Sequence, residues 1–290
     1  MVKLKKVIIP VAGLGTRMLP ATKVIPKELL PLAGMPIIHY IVKEAIDAGF
    51  SEVIFITRED KFDVKNYFKS DPNLESVLKK QFKKSHLKEI KEISSTKTKI
   101  VNVEQKEPKG LGHAILCAKS LISEDPFAVM LPDMILDSNY KKNNLVVMKK
   151  DFEKTGESSL LLGQVKKSDI QNYGIAKFKK RNINYFFPLE DIVEKPTLKN
   201  APSNLFVVGR YVFDNDILNF LEREKPDLSG EIQLTGAISK FIKSSKKVKG
   251  VLINGDAHDC GNKLGYLIAN LALSFKDKII KREVLKYLKK

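Results

Sequence analysis

A chain of 290 residues, 43% hydrophobic and 29% charged, can bury a sizeable core and carries no polar tract that would force disorder. Its longest apolar runs, such as "LIANLALSF" at 267–275, fall short of the roughly 20 residues that cross a bilayer, so no membrane segment is expected. The net charge of +17 raises nucleic-acid binding, but much of the excess falls in helical-looking stretches, +6 over 61–100 and +5 over 276–290, so solvated faces are expected and no nucleic-acid partner.

The basic start "MVKLKK" runs through Val7-Ile8-Ile9 straight into glycines without a cleavage-like site, which predicts a first strand and not a leader. Pro36 opens a helix in "PIIHYIVKEAIDAG", with Gly49 as its stop. "EVIFIT" then reads as strand two, 61–98 as a charged helical excursion, "KIVNVEQ" as strand three and "GHAILCAKSLI" as a helix. "FAVMLPD" predicts strand four, ending on Asp133. Alternating strands and helices of this kind make a mostly parallel, Rossmann-like sheet covered on both faces.

After about residue 155 the strand-like pieces "SSLLLGQV", "YGIAKFKK", "INYFFPLEDIVEK" and "NLFVVGRYVF" follow more closely, with a turn expected at Lys180-Arg181-Asn182. Helices are expected over 214–224 and 230–243, a strand at "KGVLING", and a closing helix over 263–275 ahead of a basic tail. One domain is therefore expected over 1–290, with a nucleotide-binding half to about 155, a substrate half over about 156–260, and terminal helices over about 261–290. Cys117 and Cys260 lie far apart without metal-ligand spacing, which fits a reducing cytoplasm. The four histidines, His39, His86, His113 and His258, show no metal-ligand pairing either.

Chemistry concentrates in "PVAGLGTRMLPATKVIPKELLP" at 10–31. A dinucleotide fingerprint needs a third glycine where Met18 stands, and the spacing of a phosphate-binding P-loop is absent. What remains is a loop whose backbone N–H groups can approach a phosphate or a base, followed by cations on a path that Pro20, Pro26 and Pro31 keep extended and stiff. Such a path points Arg17 and Lys27 at a polyphosphate with little ordering cost, while Lys23 reads as surface charge. Asp133 and Asp259 each follow a strand, and two carboxylates from separate strand ends suit Mg2+. By residue type alone, Asp133 serves equally well as a turn cap after Pro132, with Asp137 doing similar work nearby.

"GLGTRMLPATKVIPKELLPLAGMP" resembles the signature of the sugar-nucleotide pyrophosphorylases, in their bacterial UTP–glucose-1-phosphate uridylyltransferase branch. "KGLGHAILCA", "LPDMILD", "YGIA", "VEKP", "APSNLFVVGRYVF", "GEIQLTGAI" and "HDCGNKLGY" match the family in order and span nearly the whole chain. The resemblance implies transfer of a uridylyl group from UTP to glucose 1-phosphate with release of pyrophosphate, Mg2+ as cofactor, and a homodimer or homotetramer. It implies Arg17 on the leaving pyrophosphate, Lys27 on the phosphates near the reacting centre, and Lys195 on the sugar phosphate. It places Glu194 on sugar hydroxyls, Gly174 against the sugar ring, and Ala12, Gly13, Glu28, Gln105 and Gly110 around uracil, with Asp133 and Asp259 on the metal. Gly34-Met35 stands where relatives usually carry a charged pair, a departure expected at the surface.

Two other functions fit parts of this pattern. Thymine presents the same N3–H donor as uracil, so Glu28 alone does not separate uridylyl from thymidylyl transfer. A noncatalytic binder of sugar nucleotides or nucleic acid would use the basic surface, but it has no need of two carboxylates at strand ends.

Overall fold

The computed structural model describes residues 3–58, 63–137, 143–179 and 184–289; the turn expected at Lys180-Arg181-Asn182 lies outside the described residues. The main sheet has nine strands, numbered here in chain order: β1 Lys6–Pro10, β2 Glu52–Thr57, β3 Lys99–Glu104, β4 Phe127–Met130, β5 Ser158–Gln164, β6 Gly174–Phe178, β7 Phe186–Glu194, β8 Leu205–Phe213 and β9 Val248–Leu252. Their spatial order is β3-β2-β1-β4-β8-β5-β9-β7-β6. The first four strands are all parallel, Val7 facing Val53 on one side and Ala128 on the other. β8 then runs antiparallel to both β4 and β5, and parallel pairing returns only between β5 and β9. The sheet is thus mixed, with its parallel order concentrated in the first half of the chain.

Strand alternation explains why this sheet is buried on both sides. Val7, Ile9, Val53, Phe55, Ala128 and Met130 enter one core, while Ile8, Ile54, Ile56, Phe127 and Val129 enter the other. Helix Ile37–Asp47 covers the first core with Ile37, Ile38, Ile41, Val42 and Ala45, joined by Leu145, Met148 and Phe152 of helix Asn144–Thr155. Helices Gly110–Cys117, Ile217–Glu222 and Leu234–Lys243 cover the second.

The excursion over 61–98 contains helices Asp63–Asn66, Pro72–Lys80 and Lys84–Ser94. The second is capped by Asp71 with Pro72 at its first position, and it buries only Leu78; the third buries no residue. Their lysines therefore lie on solvated faces. Among the described residues no helix is long and apolar enough to cross a membrane.

Four local expectations need correction. The proline-rich path is not extended: it winds through three short 3-10 turns, Thr16–Met18, Ala21–Lys23 and Lys27–Leu29, because prolines fix φ near helical values without permitting a long helix. Strand four stops at Met130, and Asp133 occupies the turn before a short strand, Met134–Asp137. The helix expected over 230–243 begins at Leu234, since Ile232 is tied by its backbone to Lys109 and Gly112. Asp256–Asp259 is a strand, pairing antiparallel with Met134–Asp137 so that Asp259 faces Met134.

Candidate active site

The carboxyl ends of parallel strands collect the polar residues, as α/β sheets require of a ligand site. β1 leads into Ala12, Gly13 and the turns carrying Arg17 and Lys27; β3 leads into Gln105; β4 leads into Asp133. The small pairing between Met134–Asp137 and Asp256–Asp259 then carries Asp259 to the same place.

Gly261 marks the point of convergence. A Cβ built there would stand 2.9 Å from Asp133 Oδ2, 2.9 Å from Asp259 Oδ1 and 2.7 Å from Arg17 Nη2. Any side chain at 261 would push these groups apart. Lys27 Nζ lies 2.6 Å from Asp133 Oδ2, and Arg17 Nη1 lies 3.8 Å from Asp259 Oδ2. Two cations and two carboxylates thus face one another at the carboxyl end of the sheet.

Burial works against the charge of Lys27, but Asp133 and Glu28 outweigh it and hold the ammonium above its ordinary pKa. Burial likewise disfavours the Asp133 carboxylate, and the charge and hydrogen bond of Lys27 reverse that, keeping Asp133 below the usual carboxylate value. Asp259 is held from several directions: Gly261 N–H donates to Oδ1 at 2.8 Å, while Asn262 Nδ2 at 3.1 Å and the Tyr173 hydroxyl at 3.3 Å donate to Oδ2. Burial and the nearby Asp259 push the Tyr173 phenol up to about 12, so it stays a donor. Cys260 is buried, and burial together with Asp133 and Asp259 pushes its thiol up to about 12, which favours the protonated form.

The remaining expected residues fall into two neighbourhoods. Gln105 is buried, and its amide nitrogen donates to Gly110 O at 3.1 Å and to His113 Nδ1 at 3.0 Å, leaving its carbonyl oxygen as an acceptor. Gly110 has φ +86°, and a Cβ there would meet Glu231 Cβ at 2.8 Å, so glycine is needed where this loop docks on 231–232. Glu28 is buried beside Lys27. On the other side of the carboxylates, Gly174 pairs with Glu194 across β6 and β7, and a Cβ on Gly174 would reach Glu194 Oε2 at 3.3 Å. Both line a cavity of about 150 Å³ with Asn172, Tyr211, Gln233 and Thr235. Lys195 follows with its side chain 59% exposed, Nζ 3.6 Å from Glu194 Oε1, and its backbone N–H donates to Tyr173 O at 3.1 Å. Tyr173 therefore connects this cavity to Asp259. Lys23 is exposed, as expected.

Sequence reasoning assigned no role to Gly261, Tyr173 or Asn262. Each sits inside a motif that was legible, "HDCGN" or "NYGI", but its partner lies elsewhere in the fold or is a hydrogen bond that spacing does not reveal. A glycine two positions after a candidate metal carboxylate was the available signal for Gly261.

The family model for nucleotidyl transferase matches residues 6–274. A UTP–glucose-1-phosphate uridylyltransferase of Haemophilus ducreyi is 45% identical over 276 residues, covering 93% of each chain. A UTP-bound UGPase from Acinetobacter baumannii superposes with a TM-score of 0.90 at 37% identity, covering 98% of both chains. A UDP-glucose pyrophosphorylase complexed with UDP-glucose gives a TM-score of 0.85 at 36% identity, covering 94% of this chain and 99% of that one. Identity of this depth along nearly the whole length, on a sheet of the same shape, leads to one conclusion: the chain belongs to the nucleotidyl transferase family, in its bacterial UTP–glucose-1-phosphate uridylyltransferase branch.

Proposed function

We propose that this protein converts UTP and glucose 1-phosphate to UDP-glucose and pyrophosphate, with Mg2+ between Asp133 and Asp259 and the whole chain working as one domain. The observation that carries the reading is the convergence of those carboxylates with Arg17 and Lys27 around Gly261. In the reaction a sugar-phosphate oxygen bonds to the α-phosphorus of UTP as the bond to pyrophosphate breaks in line. Such a transfer needs positioning and charge neutralisation and no side-chain nucleophile.

The carboxylate pair fits Mg2+, which takes one or two protein carboxylates and fills its shell with water and phosphate. When bound, the ion draws charge from the phosphate oxygens. Arg17 clamps the departing pyrophosphate, and Lys27, already beside Asp133, neutralises the phosphates at the reacting centre. Lys195 neutralises the attacking phosphate, Glu194 accepts hydrogen bonds from sugar hydroxyls, and Gly174 admits the ring into the cavity it lines. Ala12, Gly13, Glu28, Gln105 and Gly110 hold the uracil.

We place the protein in the cytoplasm, in keeping with Cys117 and Cys260 both being free thiols. We also infer a homodimer or homotetramer, supported by Leu264, Leu267, Tyr287 and Leu288 exposed on and just beyond the two terminal helices, Lys263–Ser274 and Lys278–Tyr287.

Pyrophosphate release, measured with UTP, dTTP, CTP and ATP in turn, tests the function. UTP should exceed dTTP by roughly 10-fold or more, the discrimination a pocket makes against one added methyl group, to which the missing 2′-hydroxyl of dTTP adds. Comparable turnover with dTTP would overturn the uridylyl assignment, and no release with any triphosphate would overturn the enzyme.

A further inference from the structure

We infer that Arg210 is a positioning residue that sets the turn carrying Asp133, an inference that rests on Asp133 being a metal ligand. Arg210 is wholly buried in β8, a strand otherwise made of apolar residues and one glycine. Its Nη1 donates to Leu131 O at 3.2 Å and to Gly209 O at 3.3 Å. Its Nη2 donates to Met134 O at 2.8 Å and to Glu44 Oε2 at 2.7 Å. Nε donates to Glu44 Oε1 at 3.1 Å and Oε2 at 3.2 Å. The five N–H donors of a guanidinium are thereby all used.

The two carbonyls gripped from the turn belong to Leu131 and Met134, which flank Asp133 on either side. Met134 is also the residue paired with Asp259 in the short sheet, and Cys260 N–H donates to Asp133 O at 2.8 Å. One planar group thus fixes the turn of the first carboxylate and Met134, the residue on which the strand carrying the second is paired. Glu44, on helix Ile37–Asp47, orients the guanidinium from behind.

The backbone of β8 is adapted to this grip. Its register against β5 shifts between Val207 and Tyr211, and Gly209 sits there with φ +81°. A Cβ on Gly209 would lie 2.9 Å from the Leu131 side chain, while Leu131 N–H donates to Gly209 O at 2.8 Å. Irregularities of this kind re-aim side chains beside active sites. A buried ion pair seldom stabilises a fold more than apolar packing of the same volume would, so the gain from Arg210 and Glu44 is geometric.

The test compares wild type with Arg210→Lys, Glu44→Gln and Asp133→Asn. Arg210→Lys keeps the charge but loses the planar fork that spans both carbonyls. Mn2+ alone is the probe, its binding read from the EPR signal of the free ion, and turnover is followed as a function of Mg2+ concentration. Arg210→Lys should weaken Mn2+ binding roughly 10- to 100-fold, as loss of a partner behind a metal ligand does, and raise the Mg2+ needed for half-maximal turnover by the same factor. The KM for glucose 1-phosphate should hold its wild-type value, which a general loosening of the fold would not spare.

Wild-type Mn2+ affinity in Asp133→Asn would overturn the metal assignment itself. Weakened binding in Asp133→Asn with wild-type binding in Arg210→Lys would overturn the positioning role alone. If Arg210→Lys does not fold, Glu44→Gln supplies the reading, since it keeps Arg210 but removes the charge that orients it. Wild-type Mn2+ affinity in Glu44→Gln, or its failure to fold, would make the pair a stability device and overturn the inference.

Discussion

Two lysines of this protein stand at opposite ends of the same chemistry in opposite physical states. Lys27 has a side chain only 16% exposed and lies 2.6 Å from Asp133, while Lys195 is 59% exposed and 3.6 Å from Glu194. The first is fixed in place by burial and by two carboxylates before any substrate arrives. The second keeps its rotamer freedom, which on the proposed reading it gives up when it meets the sugar phosphate. On that reading the triphosphate side is preorganised, where charge must be balanced within a shielded cluster, and the sugar side is adjustable. Preorganised groups act chiefly on turnover, and adjustable ones chiefly on substrate capture.

The sharpest way to break this contrast is at the fixed end. Asp133→Asn should lower turnover by roughly 100- to 1000-fold with the fold preserved, and Asp259→Asn should behave alike. If both serve one ion, as proposed, the double substitution should cost much less than the product of the two single losses. Kinetics across Mg2+ concentrations, with thermal melts as the check on folding, decide it; multiplicative losses would mean separate roles, and near-wild-type turnover of Asp133→Asn at low Mg2+ would return Asp133 to a turn cap.

At the adjustable end the expected effect is smaller. Lys195→Ala should lower kcat/KM for glucose 1-phosphate roughly 10- to 100-fold, the value of one charge-assisted contact, while the KM for UTP stays at its wild-type value. Initial-rate kinetics in both substrates test the split, and equal damage to both would erase the contrast between the two lysines.

The mildest change sharpens the comparison by touching the fixed end without removing a charge. Gly261→Ala places a methyl group 2.9 Å from both carboxylates and 2.7 Å from Arg17, and should cost about 1–3 kcal/mol of stability through overpacking. Chemical denaturation measures that loss; a wild-type midpoint would show that the carboxylate cluster yields more easily than its hydrogen bonds suggest.

Much of this arrangement was legible in the chain, and what escaped has a common cause. Val7-Ile8-Ile9 and "EVIFIT" reveal themselves because both faces of those strands are apolar. Asp133 and Asp259 stand out because each comes a few residues after an apolar strand, Phe127–Met130 and Val248–Leu252. The strand Asp256–Asp259 was hidden, since "DAHD" has no strand propensity and is held extended only by pairing with Met134–Asp137. The 3-10 turns of the first loop were hidden too, because proline spacing limits a path without choosing among short turns. Tyr173, 86 positions from the carboxylate it serves, is placed by the fold alone. Arg210, inside the apolar run "LFVVGRYVF", carried no signal of its role, since its partner Glu44 lies 166 positions away.

The position of β8 also has a consequence for how the protein is made. β8 covers the edge of β4, yet β4 ends at Met130 and β8 does not begin until Leu205. On a ribosome adding about 5–20 residues per second, the open edge of β4 therefore waits several seconds or more for its cover. During that interval the nascent chain presents Phe127, Ala128, Val129 and Met130 as a strand paired with β1 on one side only, leaving the kind of edge that other chains can pair with. Synthesis in crowded polysomes, more than the finished enzyme, is where this protein is most exposed to aggregation.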